Sequence, residues 1–174
     1  MKHFFAAAVL FLLLTSCNNT PVTNNTDSAS ADSTTTTAFD SPIGGVYSFG
    51  DNPETGPSGT VMIYPESDST FLFHIDFTRG APSYNMAVLS ERAQLKGDTG
   101  TYFAEVPNEV DACQIKFYFR KDFVQLVNDQ RNCGFGANCV IDHVYNREEG
   151  SVPQYFVGRE GDTIYFNDLS KALR

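Results

Sequence analysis

The sequence contains two pairs of side chains whose types and spacing suit catalysis or metal binding. Cys139 and His143 would suit a thiol–imidazole pair. On a strand these two residues would share a face but lie roughly 13 Å apart, which is beyond hydrogen-bond reach. His74 and Asp76 could hold a metal ion on one strand face, but such a site needs three or four ligands. We therefore interpret Cys139 as a buried free thiol, and His74 and Asp76 as exposed polar residues.

Sequence motifs of the common catalytic and cofactor-binding sites are absent. The chain has no Gly-x-Ser-x-Gly, no phosphate-binding loop, no dinucleotide-binding fingerprint and no zinc-binding helix motif. Acidic stretches at residues 51–54 and 66–68 could bind calcium, but surface turns are commonly acidic because they face water. We expect no catalytic residue, no metal site and no cofactor, and the chemistry favours binding over catalysis.

The amino terminus predicts export. Lys2 precedes an apolar run of eleven residues at 4–14. That run is too short to cross a bilayer as a helix, which needs roughly 20 apolar residues. The string LTSC at residues 14–17 resembles the lipobox of bacterial lipoproteins, in which an aliphatic residue and two small residues precede the acceptor cysteine. The resemblance implies a signal peptide at residues 1–16 and lipidation of Cys17, which anchors the chain to a membrane.

The segment that follows Cys17 predicts a disordered tether at residues 17–39. It is almost entirely Asn, Thr, Ser, Asp and Ala, and such a composition buries too little apolar surface to offset its ordering entropy. Its root-mean-square reach is roughly 25 Å. Asn18 and Asn19 fit sorting to the outer membrane. We expect a lipid-anchored protein of the cell envelope, facing the periplasm or the cell surface.

The charge of the mature chain restricts its partners. Loss of Lys2 with the signal peptide leaves 11 basic and 21 acidic residues, a net charge of −10. An acidic surface repels nucleic acid and anionic lipid headgroups. We expect no nucleic-acid partner, and the charge favours a basic partner if the protein binds one.

From residue 40 the composition and residue pattern become typical of a β-domain, which we place at residues 40–174. At residues 70–78, Phe71, Phe73, Ile75 and Phe77 alternate with more polar residues, as they do in a strand with one buried face. Residues 113–120 alternate in the same way. Weaker strand candidates lie at residues 45–49, 59–64, 86–95, 101–106, 123–128, 139–146, 155–158 and 163–166. Residues 86–95 could instead be helical, and residues 168–174 suggest a final helical turn.

Ten short strands separated by turn residues predict an all-β fold, a small antiparallel barrel or sandwich of about 8–10 strands with one disulfide.

With Cys17 acylated, three cysteines remain. Strands at 112–120 and 123–128 would form a hairpin around residues 121–122, which brings Cys133 back beside Cys113. Closing a loop of about twenty residues stabilises the fold by roughly 3 kcal/mol. A Cys133–Cys139 pair stays open as the alternative, because a glycine turn separates these two residues.

That glycine turn is the most distinctive local string in the chain. Gly134 and Gly136 flank Phe135, and Asn138 also tolerates a positive φ, so the chain can turn sharply here. In the functional interpretation the turn is a candidate contact loop that presents Phe135 to a ligand. In the structural interpretation, which we favour, Phe135 points inward and plugs the space between strands.

The segment from Cys113 to Arg147 resembles a group of uncharacterised envelope proteins. Their signature runs Cys-x-Leu-x-Phe-x-Phe, then Cys-Gly-Phe-Gly-x-Asn-Val, then Asp-Gly-x-Tyr. The resemblance implies a β-domain and supports the Cys113–Cys133 pairing, because Cys139 stands where the group has valine. His143 stands where the group has glycine. A related module accompanies a lysozyme-inhibitor domain in some envelope proteins.

We therefore expect a cell-envelope lipoprotein that acts as a binding module for an envelope protein or a glycan-associated ligand. One alternative is a periplasmic inhibitor of lysozyme, since small disulfide-bonded barrel lipoproteins perform that role and an acidic protein would be steered to a basic lysozyme. The other alternative is an enzyme that acts on envelope polymers.

Overall fold

The computed structural model describes residues 43–105, 112–131, 133–149 and 151–174. The predicted signal peptide at 1–16, the predicted lipidation site Cys17 and the predicted tether at 17–39 lie outside the described residues. In the described part, no helix is both long enough and apolar enough to cross a membrane.

The described chain folds as an antiparallel barrel of eight strands, each bonded to the next in chain order, with the last bonded to the first. The barrel strands are β1 Gly45–Phe49, β2 Ser58–Pro65, β3 Thr70–Thr78, β4 Met86–Lys96, β5 Thr99–Ala104, β6 Cys113–Phe119, β7 Phe123–Arg131 and β8 Val144–Glu149. Two short strands and a helix follow: β9 Tyr155–Val157, β10 Thr163–Tyr165 and α1 Phe166–Ala172. The predicted all-β class, the barrel and the ten strands are confirmed.

Side chains fill the interior of the barrel. On β3, Phe71, Phe73 and Ile75 are fully buried, as the alternating pattern predicts. Phe71 meets Phe117 of β6 edge-on, with ring centroids 5.3 Å apart. Gly100 on β5 makes room for this pair, because a Cβ there would lie 2.5 Å from the Phe71 ring. An eight-stranded barrel is just wide enough for such packing, so the interior is a hydrophobic core.

Arg147 of β8 joins the two strands that close the barrel. Its guanidinium lies over the Tyr47 ring of β1, 4.7 Å from the centroid, and it hydrogen-bonds to the Tyr47 hydroxyl. The same group donates a hydrogen bond of 2.7 Å to the carbonyl of Gly44. Because β1 and β8 are far apart in sequence, these contacts fix the register at which the barrel closes.

The two ends of the barrel differ in the length of their connections. At one end, which we call the tight-turn end, residues 66–69, 97–98 and 120–122 link successive strands, and the chain enters β1 there. At the other, the long-loop end, the connections are residues 50–57, 79–85, 105–112 and 132–143. Long loops on a rigid barrel are common positions for binding residues.

The disulfide joins Cys113 to Cys133, which confirms the predicted pairing. Cys113 opens β6, and Cys133 follows β7 at the long-loop end. The hairpin forms as predicted, with the Arg120 amide donating to the Phe123 carbonyl at 2.9 Å. Cys139 keeps a free thiol, so the alternative pairing does not form.

Strands β9 and β10 and helix α1 form a unit that we call the C-terminal cap. Phe156 and Phe166 of the cap pack against Leu72 on the outer face of β3. The prediction that this outer face of β3 meets water is therefore wrong for Leu72 and His74, which are 0 % and 4 % exposed. The cap covers them because an apolar patch on a barrel wall is stabilised when a second element removes it from water.

One local alternative does not form, and one predicted strand is shorter than expected. The strand candidate at 86–95 is confirmed as β4, because nine consecutive residue pairs with β3 outweigh its helix propensity. The strand predicted at residues 139–146 begins only at Val144. Asp142 accepts a 2.6 Å hydrogen bond from the Asn128 amide, a side-chain contact that takes the place of a strand bond there.

Candidate functional site

The glycine turn lies at the long-loop end and is braced by the loop between β3 and β4. The Gly136 amide donates to the Met86 carbonyl at 2.8 Å, and the Asn85 side chain donates to the Ala137 carbonyl at 2.8 Å. Asn138 adopts a φ of 61°, in the left-handed region expected from the sequence. Phe135 is half-buried and packs against the barrel core. This geometry favours the structural interpretation, and the contact role of residues 134–138 stays a prediction.

Cys139 and His143 face different partners. The Arg79 backbone amide donates a hydrogen bond to the Cys139 thiol, and burial raises the pKa of that thiol despite this bond. The His143 ring stacks on Phe49, with centroids 3.9 Å apart, and burial lowers the His143 pKa. A raised thiol pKa disfavours the thiolate that nucleophilic catalysis requires. The geometry gives no support to a thiol–imidazole pair.

His74 belongs to the contact between barrel and cap. Its ring stacks on Phe156 at 4.0 Å, and its Nδ1 lies 2.8 Å from the Ser90 hydroxyl. Burial lowers the His74 pKa, and the charge of Asp76 opposes that shift. The expectation that His74 is exposed is corrected, since the cap covers it. The described residues contain no group of three or more histidine, cysteine, aspartate or glutamate side chains placed to hold a metal ion.

A cavity of about 470 Å³ lies where the cap meets the tight-turn end. Two of its three charged lining side chains, Arg92 and Glu66, are paired with each other, and the third is Arg174. Arg92 donates two hydrogen bonds to Glu66, at 2.6 and 2.9 Å, and two more to the carbonyls of Ser170 and Leu173. Burial alone would raise the pKa of Glu66, but the hydrogen bonds from Arg92 and Ser170 lower it. This arrangement fastens α1 to the barrel.

A second cavity, of about 410 Å³, lies on the outer wall of the barrel toward the long-loop end. We call it the acidic groove. Its polar lining side chains are three carboxylates and four hydroxyls, those of Asp51, Asp76, Glu148, Ser48, Ser58, Thr60 and Thr78. Among its described lining residues there is no lysine, arginine or histidine, and no aromatic side chain. The groove thus concentrates negative charge beside hydrogen-bonding groups.

The strand register places these side chains in two rows across the wall. Ser48 of β1 pairs with Thr60 of β2, and Thr60 pairs with Asp76 of β3. In the next row, Ser58 of β2 pairs with Thr78 of β3. Within each strand, residues of the two rows are two apart, so all of them point to the same outer face. The groove is therefore built on hydrogen-bonded strands, a rigid support for a binding site.

Two side chains of the groove are held in place. The Ser48 hydroxyl donates a 2.5 Å hydrogen bond to the Glu148 carboxylate, which fixes that carboxylate against β1. Ser58 is 9 % exposed, beneath the loop that follows β1. Gly50 lets this loop turn back, with a φ of 68° and no room for a Cβ against the Pro57 carbonyl.

No motif in the sequence singles out the acidic groove. Asp51 and Asp76 stand there as separate turn and strand-face residues, and no pattern draws attention to Ser48, Thr60 or Glu148. The sequence does indicate that Ser48, Thr60 and Asp76 occupy the alternate strand positions whose side chains point away from the core. These residues form one site only because the register of β1, β2 and β3 places them side by side.

Comparison of the chain with protein-family models, with curated proteins and with solved structures finds no match.

Proposed function

We propose that this chain is a lipid-anchored binding protein of the cell envelope and that the acidic groove takes its ligand. The observation that carries the proposal is an open groove of about 410 Å³ whose described lining residues include three acidic side chains and no basic one. A cavity of this size falls in the range of ligand sites, roughly 300–1,000 Å³. Unneutralised charge on a rigid wall lowers stability, and proteins retain such arrangements where a ligand uses them.

The position of the groove suits a protein tethered at its amino terminus. The chain enters β1 at the tight-turn end, whereas Asp51, Ser58 and Thr78 bring the groove to the long-loop end. A membrane anchor ahead of β1 would leave that end free to meet a partner. The Cys113–Cys133 disulfide supports an oxidising compartment, which agrees with export.

Inhibition of lysozyme is the second candidate, and the acidic groove on a disulfide-bonded barrel favours it. A basic lysozyme would be attracted to such a surface. A turbidity assay tests this candidate directly, by following the lysis of a bacterial suspension by lysozyme. Protection at equimolar protein supports inhibition, and unimpeded lysis discards it.

An enzyme acting on envelope polymers is the less favoured alternative. Asp76 and Glu148 lie on different strands, with β1 and β2 between β3 and β8. At roughly 5 Å per strand, three spacings place the two backbones about 14 Å apart. The Glu148 carboxylate reaches back to Ser48, which lies two strands, or about 10 Å, from Asp76. Pairs of carboxylates that hydrolyse glycosides stand roughly 5–10 Å apart. Hydrolysis of peptidoglycan by the purified chain would favour the enzyme.

The proposal that the groove takes the ligand is tested by placing a bulky side chain in the groove and measuring ligand binding. The full chain, purified in detergent, is used to capture envelope proteins and peptidoglycan fragments, and each captured species is then measured as a binding curve. Thr60→Trp places a large ring in the groove, and we expect it to weaken binding at least tenfold. Gln125→Trp is the matched control, because Gln125 is exposed on β7 and does not line the groove. Equal binding by wild type and Thr60→Trp would refute the groove as the ligand site.

A further inference from the structure

We propose that the outer face of the C-terminal cap contacts the headgroup region of the membrane, an inference that rests on the lipid anchor of the proposed function. The hairpin of the cap is apolar on both faces. Phe156 and Ile164 pack toward the barrel, whereas the exposed side chains are those of Tyr155, Val157 and Tyr165, at 52 %, 57 % and 52 %. We call these three exposed side chains the cap patch. A sheet that covers a core on one side commonly turns polar side chains to water on the other, so a second apolar face indicates a second contact.

The cap patch is concentrated on a very short segment. The described residues expose seven large apolar side chains, and three of them lie on this hairpin, whose two strands have three residues each. The register pairs Tyr155 with Tyr165 and Val157 with Thr163, so the three side chains are neighbours on one surface. Single apolar residues are normal on a protein surface, whereas a cluster marks a site of contact.

The cap patch lies close to the point where the predicted tether joins the barrel. Gly44 precedes β1, and a Cβ on Gly44 would lie only 2.7 Å from the Val152 side chain. Val152 comes three residues before Tyr155, a separation of at most about 11 Å along the chain. The patch also leads into α1, whose carbonyls accept hydrogen bonds from Arg92 at the tight-turn end. A lipid anchor ahead of β1 therefore keeps the cap patch near the bilayer.

The charge of the cap also suits a membrane surface. Residues 155–174 carry three basic and three acidic side chains, those of Arg159, Lys171, Arg174, Glu160, Asp162 and Asp168. The side chains of the cap are thus neutral in sum, whereas the predicted mature chain, without Lys2, has a net charge of −10. Anionic headgroups repel the acidic remainder, so the cap is the part of the domain that they repel least. Tyrosine suits this boundary, because its ring is apolar and its hydroxyl is polar.

The size of the cap patch favours a membrane over a second copy of this chain. Three half-exposed side chains bury roughly 300 Å² on contact. A stable protein dimer needs about 800 Å² on each partner. A tether with a reach of roughly 25 Å holds the cap near the bilayer at an effective concentration in the millimolar range, where a weak contact forms. The patch is therefore sufficient for a tethered membrane contact and too small for a dimer.

A glycan is the competing occupant, and the geometry of the rings does not favour it. The Tyr155 and Tyr165 rings have centroids 5.9 Å apart and planes inclined by 60°. One flat sugar ring cannot lie against two faces inclined in this way. The third member of the patch, Val157, brings no hydrogen-bonding side chain, and glycan sites need polar groups that fix the orientation of the ligand. A bilayer interface requires neither parallel rings nor fixed polar groups.

Tryptophan substitutions test the inference, because the chain contains no tryptophan and each variant then carries a single reporter. Tyr155→Trp and Tyr165→Trp place the reporter in the cap patch. Phe103→Trp is the matched control, since Phe103 is 54 % exposed on β5 and lies outside the cap. Each full chain is purified from membranes and reconstituted into vesicles of phosphatidylethanolamine and phosphatidylglycerol. Half of the vesicles contain brominated acyl chains, which quench tryptophan that is close to them.

The cap reporters should respond to the bilayer and the control should not. We expect brominated lipid to reduce the emission of Tyr155→Trp and Tyr165→Trp about twofold or more, because an interfacial side chain meets the acyl boundary. Phe103→Trp should lose less than about a tenth of its emission, since its side chain stays in water. Adding Tyr165→Ser to Tyr155→Trp removes part of the patch and should bring the quenching toward the control value. Circular dichroism establishes that each variant folds.

Flotation of the vesicles separates the inference from the proposed function. If the chain floats and the cap reporters are quenched no more than Phe103→Trp, the lipid anchor stands and the cap contact is overturned. A chain that does not float, with an unacylated Cys17 by mass spectrometry, removes the lipid anchor of the proposed function and the inference with it.

Two further outcomes identify another occupant of the cap patch. If the emission of the cap reporters changes with protein concentration in detergent and not with brominated lipid, the occupant is a second copy of the chain. If it changes on addition of a tetramer of N-acetylglucosamine and not with brominated lipid, the occupant is a glycan. Either result overturns the membrane contact.

Discussion

The outer wall of β2, β3 and β4 has two halves that share the same strands but have opposite surroundings. Toward the tight-turn end, Leu72 and His74 lie under the C-terminal cap. Toward the long-loop end, Thr60 and Asp76 line the open acidic groove. The boundary falls between His74 and Asp76, two residues apart on one strand. A neutral imidazole can be covered by an aromatic ring, whereas a covered carboxylate would lose its hydration without a compensating partner.

The largest expected effect comes from a substitution that weakens the contact between the C-terminal cap and the covered half of the wall. Phe166 is fully buried between cap and barrel, and Phe166→Ala should weaken docking of the cap by about 3–5 kcal/mol. Native-state hydrogen exchange should show faster exchange of the cap amides. Tyr165→Ala is the control, since Tyr165 is 52 % exposed and its loss should change stability by less than about 0.5 kcal/mol. Equal effects of the two variants would contradict the packing described.

The disulfide tests whether the groove depends on the brace at the other side of the barrel. Replacing Cys113 and Cys133 together by serine should lower the free energy of unfolding by roughly 3 kcal/mol, since the bond closes a loop across a sequence separation of 20 residues. Urea denaturation measures the loss. Ligand affinity should stay unchanged, because the groove is built on other strands. Cys139→Ser serves as the control for removal of a thiol.

Because His74 lies in the covered half of the wall, the free energy of unfolding should depend on pH. Burial lowers the His74 pKa below the ordinary value of 6.5, so the unfolded chain binds more protons than the native chain just below that pH. Stability should therefore fall as the pH drops below 6.5, by at most about 1.4 kcal/mol per pH unit for each titrating group.

His143, whose pKa burial also lowers, contributes in the same direction. His74→Phe should remove its own share of the pH dependence and leave the share of His143. Melting temperatures measured from pH 5 to 8 for both proteins make the comparison. An unchanged slope in His74→Phe would show that the cap contact is not the titrating element.

The smallest effect concerns the open half. Asp76→Asn with Glu148→Gln should raise the free energy of unfolding by a few tenths of a kcal/mol at low salt, because it removes like charges from one wall. The gain should disappear at 1 M salt, where the screening length is about 3 Å. A destabilised double variant would mean that these carboxylates support the fold rather than serve a ligand.

The sequence predicts those features of the structure that depend on residues close together in the chain, and it does not predict those that depend on distant residues. Strands β1 and β3 match their predicted bounds, and the Cys113–Cys133 bond follows from a hairpin whose turn lies at residues 121–122. Residues 86–95 were ambiguous, because helix propensity and strand alternation overlap there. The groove was not predictable, since Ser48, Thr60 and Asp76 become neighbours only through the register of β1, β2 and β3.

The sequence by itself indicated the all-β class, the buried faces of β3 and β6, and the Cys113–Cys133 pair as the favoured of two pairings, because alternation and hairpin spacing act over a few residues. The tertiary structure decided that the barrel closes between β1 and β8, and which half of its outer wall the cap covers. It also decided that Asp76 and Glu148 line one groove. These outcomes depend on contacts between residues up to about a hundred positions apart, as in the Ser48–Glu148 hydrogen bond, and no local pattern encodes such contacts.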